Sequence, residues 1–123
     1  MDIAVWVAQI LLALAFFGAG FTHVTRRERA TGGMIWMLDV PKPMLTTIGV
    51  LEILGAIALV VPWATGIAPW LTPLAALAFV ALMVCAAVFH LRRPGEAPNA
   101  IFNVVLGLIA AVVAWGRLDA LTF

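Results

Sequence analysis

The sequence predicts an all-α protein, an antiparallel bundle of four transmembrane helices with a short interfacial helix in the first cytoplasmic loop. Three observations carry that expectation. Of 123 residues, 65% are hydrophobic and only 11% are charged, whereas soluble domains are about half apolar and about a quarter charged. Four apolar runs each approach the roughly 17–25 helical residues that cross about 30 Å of hydrocarbon. None of the runs alternates apolar with polar residues, as barrel strands would, and lipid forces the backbone to pair within each span. The mean hydropathy of +1.15 agrees.

Helix 1 is expected over residues 3–24. Its flank, Met1-Asp2, lacks positive charge, and the run passes into "HVTRRER" without a small-residue cleavage site. It therefore reads as a retained span rather than a signal peptide. The link from Thr22 to Pro43 starts with charges and ends in bulky apolar residues. That pattern suits a short helix or re-entrant piece lying at the interface, with Trp36 as anchor.

Helix 2 is expected over 44–62, entered through Pro41 and Pro43. Helix 3 is expected over 70–91 and helix 4 over 99–117. The links "PWATGIAP" and "RRPGEAPN" are short, which makes helices 2–3 and 3–4 antiparallel neighbours. With no internal repeat, residues 1–123 are expected to form one domain.

Charge sets the orientation. Arg26, Arg27, Arg29 and Lys42 follow helix 1, Arg92 and Arg93 follow helix 3, and only Arg117 lies elsewhere. The positive-inside bias places both of those loops in the cytoplasm and both termini outside a cell membrane. Trp6, Trp63, Trp70 and Trp115 then fall at the outer interface as an aromatic belt.

The polar residues inside the spans are the candidate site. Glu52 lies about 12 Å into helix 2, where an acid costs on the order of 2.5–3.5 kcal/mol and so faces the interior with a partner. Gly49, Gly55 and Ala56 share its face, and small residues let helices approach closely. His23 ends helix 1, His90 ends helix 3 and Asn103 opens helix 4, all in the same half. These four are expected to cluster as ligand-binding residues. Each has a plainer reading: Glu52 and Asn103 as interhelical glue, the histidines as headgroup or helix-terminus partners. Gln9 is expected at the interface, and Cys85 in packing.

Several chemistries are disfavoured. The chain has no serine nucleophile and no Gly-rich phosphate loop. A lone cysteine permits no intrachain disulfide. Two histidines and a glutamate on separate helices, without an i,i+4 His pair, do not make a convincing metal site. The basic residues are few and topological, so no nucleic-acid partner is expected.

"LALAFFGAGFTHVTR", "IGVLEILGAIALVVP", "TPLAALAFVALMVCAAVFHLRR" and "NAIFNVVLGLIAAVVAW" together resemble the DoxX-like family of small integral membrane proteins, over nearly the whole chain. The Gly49-x-x-Glu52-x-x-Gly55 element and the terminal His90 are the most specific marks. The family pattern often has Lys near the end of helix 1, where this chain has His23. The resemblance implies a four-helix bundle but no single reaction. The family name derives from a subunit associated with thiosulfate:quinone oxidoreduction, some relatives accompany thiol-handling partners, and similar animal proteins assist receptor assembly.

Three functions follow as expectations. One is an accessory protein that binds a lipophilic small molecule, a quinone being the candidate cofactor, and supports a redox partner. Another is a structural subunit or assembly factor for other membrane proteins, or a homo-oligomer. The third is proton-coupled transport, which the absence of broken spans or inverted repeats disfavours. Independent catalytic activity is not expected.

Overall fold

The computed structural model describes residues 2–122. Four helices, α1 (Asp2–Thr25), α2 (Lys42–Thr65), α3 (Leu71–Leu91) and α4 (Ala97–Gly116), are long and apolar enough to span a membrane. The link between α1 and α2 carries two 3₁₀ turns, Arg27–Arg29 and Gly32–Asp39, and a third, Leu118–Leu121, follows α4. The helices neighbour one another in the cyclic order 1-2-3-4. The α1–α2 and α3–α4 pairs pack most extensively, and the α2–α3 seam is looser.

Side chains sort as a bundle in lipid requires. Leu12, Phe16, Leu59, Phe79, Ala110 and Val113 are buried between the helices. Leu14, Leu51, Val84 and Leu108 stand on the outside, each more than half exposed. With hydrocarbon on one side and leucine on the other, apolar burial supplies little drive between helices, and association rests on close packing and polar contacts.

Helix α2 outruns its expected end at Pro62 by three residues. A proline inside a helix removes an N–H and frees the carbonyl four residues earlier, here that of Ala58. The Thr72 hydroxyl of α3 donates to that carbonyl at 2.9 Å, so the helix continues with its bonding complete. It stops at Gly66, whose φ of +73° suits a glycine C-cap and whose N–H donates to the Pro62 carbonyl.

Candidate functional site

Helices α1 and α2 touch backbone to backbone. A methyl built on Gly20 would lie 2.5 Å from the Gly49 carbonyl oxygen, and one on Gly49 would lie 2.7 Å from that of Gly20. Because the helices run antiparallel, Gly20 faces Glu52 and Gly49 faces His23. Each glycine makes room for the other helix's ionisable side chain. The result is a buried contact of 2.5 Å between His23 Nδ1 and Glu52 Oε1. Gly55, expected on the same face, instead turns to α3 and receives the Phe79 ring.

His90 does not join that pair. Its Nδ1 lies 2.7 Å from Glu96 Oε1, in the loop between α3 and α4. Glu96 Oε2 accepts from Arg93 Nε at 2.7 Å, and Arg93 Nη2 donates to Asp39 at the end of the Gly32–Asp39 turn. Desolvation is the strongest single influence on the Glu96 carboxyl and disfavours its charge. Hydrogen bonds from Arg93 and His90, with their charges, outweigh it and hold Glu96 below its ordinary pKa. The same bonds, first that to Glu96 and then that to Asp39, raise Arg93 above the usual guanidinium value.

This chain of contacts latches the link segment over the bundle's loop end. Asn99 Nδ2 donates to the Gly33 carbonyl at 3.0 Å, and Arg27 Nε to that of Val40 at 3.0 Å. Trp36, expected to anchor the segment at the interface, is half-buried against the bundle. Its ring centroid lies 5.4 Å from that of His23 and 5.0 Å from that of His90, both edge-on.

Beneath Trp36 lies a cavity of about 370 Å³ whose walls come from all four helices and the link. His23, Glu52, His90 and Asn103 all line it, so the four candidate positions share one chamber. They are not one hydrogen-bonded cluster: His23 and Glu52 pair, His90 pairs with Glu96, and the buried Nδ2 of Asn103 has no partner among the described residues. Apart from Asp39 and Asn99, both at the loop end, the remaining wall is apolar, with Phe16, Leu45 and Met83 among its residues. Among the described residues no group of three His, Cys, Asp or Glu could hold a metal ion.

Two expectations need correction. Gln9 is fully buried rather than interfacial, and Cys85 is exposed rather than packed inside. Gln9 donates to the Leu59 carbonyl at 2.7 Å and accepts from Arg117 Nε at 2.7 Å. Arg117, read from sequence as a tail charge, is also buried. Its Nη1 donates to Asp2 at 2.5 Å, and its guanidinium lies 4.4 Å from the Trp63 ring centroid and 5.6 Å from that of Trp6. The spacing of Gln9 with Val5, Leu12 and Phe16 on one helical face was the available signal for the first. Nothing local marked Arg117.

The model of the DoxX-like family matches residues 7–113. No curated protein and no solved structure matches the chain.

Proposed function

The chain belongs to the DoxX-like family, and from that premise we propose that this integral membrane protein binds a quinone-like lipophilic small molecule and acts as an accessory to a redox partner. One observation carries the reading. The cavity is apolar over most of its wall, yet it is lined by an imidazole–carboxyl pair and by Asn103, whose buried amide nitrogen has no partner among the described residues. An unpaired buried donor costs roughly 1–3 kcal/mol, and a ligand carbonyl bound at Asn103 Nδ2 would remove that cost. Apolar chambers with a few convergent polar groups suit such ligands, and a carboxyl with an imidazole can exchange protons with a quinol oxygen. The charge distribution of the loops supports placing this end in the cytoplasm, with both termini outside.

The test is titration of the purified protein in nanodiscs with decylubiquinone, read by quenching of Trp36, which lines the chamber. Saturable quenching is expected, with affinity about tenfold weaker in Asn103→Leu and in Glu52→Gln. Unchanged affinity in both variants removes the head site.

A second reading, a structural subunit or assembly factor, draws on the mutual satisfaction of His23 and Glu52, which is what interhelical glue requires. It predicts that Glu52→Gln lowers thermal stability without altering quinone binding, and that native membranes yield a reproducible protein partner.

A further inference from the structure

The head chamber continues into a second hollow, and this decides what sort of molecule fits. A groove of about 330 Å³ lies along the α2–α3 seam, and Glu52, Leu82 and Cys85 line both spaces. It extends from Cys85 to Ala75, about 15 Å along α3 at 1.5 Å per residue. Its outer edge is open on the side that faces lipid, where Leu51, Ala78, Ala81 and Cys85 are exposed. Phe79, stacked on Phe16 at 3.8 Å between ring centroids, closes its inner side.

We propose that the ligand is a single-tailed amphiphile, its head in the chamber and its apolar tail laid along this groove, entering sideways from the bilayer between α2 and α3. The proposal rests on the head site above. Its occupant follows from continuity: the latched link segment bearing Trp36 lies over the loop end of the chamber, and the groove shares Ile48, Glu52, Leu82 and Cys85 with it, so a tail attached to a bound head has a continuous path along the seam. Among the described residues along the groove, Glu52 and the Cys85 thiol are the ionisable groups, and the rest of the lining is apolar. Alanine at 78 and 81 keeps the floor of the exit low. A tail in lipid already has hydrocarbon around it, so the groove adds little hydrophobic affinity. Its role is to give the tail a path, and filling it excludes tailed ligands while leaving the head site untouched.

The experiment compares decylubiquinone with tail-less duroquinone in nanodiscs, using native protein and Ala81→Phe, with Trp36 quenching as the readout. Ala81→Phe is expected to weaken decylubiquinone about tenfold and to leave duroquinone within about twofold. In the native chain, alkylation of Cys85, its sole cysteine, is expected to be slowed severalfold more by decylubiquinone than by duroquinone at equal occupancy. That second arm needs no variant to fold. If both quinones bind but neither arm separates them, the tail path is overturned and the head site stands. If Ala81→Phe weakens both equally, the path is overturned too. If neither quinone binds the native protein, head site and path fall together.

Discussion

Replacing Gly20 with alanine tests whether the α1–α2 contact creates the His23–Glu52 pair. The new methyl would lie 2.5 Å from the Gly49 carbonyl oxygen and 2.8 Å from Ile53 Cγ1. Ordinary contact begins near 3.4 Å, so the helices must part by about 0.9 Å or distort. The obstacle is backbone, which cannot swing aside like a flexible side chain. Overpacking of this kind costs roughly 1–3 kcal/mol. The same separation would stretch a 2.5 Å contact to about 3.4 Å, beyond a normal hydrogen bond. Gly18 is the internal control, because a methyl there meets nothing within 4 Å. Gly18→Ala is therefore expected to be neutral or to gain up to about 1 kcal/mol of helix propensity. Unfolding in mixed micelles, followed by circular dichroism, gives the stability difference, and ¹⁵N NMR of His23 reports the loss of its Nδ1 partner. Equal stability of the two variants, or an unchanged His23 signal in Gly20→Ala, would refute the reasoning.

Other outcomes follow from single contacts. Thr72→Val removes the hydroxyl that serves the Ala58 carbonyl beside Pro62 and should cost about 1 kcal/mol in the same unfolding assay; Thr72→Ser should restore most of it. Arg117→Met strands the buried amide oxygen of Gln9 and should cost about 1–3 kcal/mol, with Gln9→Leu adding less than its own single effect because the two share one contact. Since the folded pKa of Glu96 is depressed, its contribution is present above the unfolded value near 4.3 and lost as pH falls through the lower folded value. A carboxyl ¹³C titration should therefore place its midpoint below the ordinary one, and Arg93→Gln should move that midpoint upward. A midpoint insensitive to Arg93 would contradict the latch.

The four spans were legible because their signal is length and apolarity, which depend on the solvent rather than on neighbours. Glu52 was legible for the same reason: an acid among hydrocarbon needs an interior partner, and its Gly-x-x-Glu spacing named the contact face. What each polar group bonds to was less legible. Glu96 took His90 because a short loop folded back on its own helix end, and pairing through tertiary contact has no periodicity to read. Pro62 looked like a helix end because the residue that compensates it, Thr72, arrives from another helix. Arg117 looked like a solvated tail charge because Trp63 and Gln9, which enclose it, come from elsewhere in the chain.

Hydrogen-bond accounting separates the two polar ends of the bundle. At the end carrying the termini, Arg117 bonds Gln9 and Asp2 and has the faces of two indoles beside it, and its buried Nη2, without a partner among the described residues, borders neither the chamber nor the groove. A group closed in this way holds helices together and offers nothing to a ligand. At the loop end the accounting stays open. Glu52 and His23 satisfy each other, but the unpaired Asn103 nitrogen belongs to a residue that borders a chamber. If that chamber were merely a packing defect, filling it with a larger apolar side chain should stabilise the bundle, as filling dry voids generally does. Ala86, which lines it, provides the position: Ala86→Leu should bring no gain beyond about 0.5 kcal/mol if the space is shaped for a polar-headed guest and solvated without one, and a clear gain if it is dry. Either result is read directly from the unfolding midpoint, without knowing what the guest is.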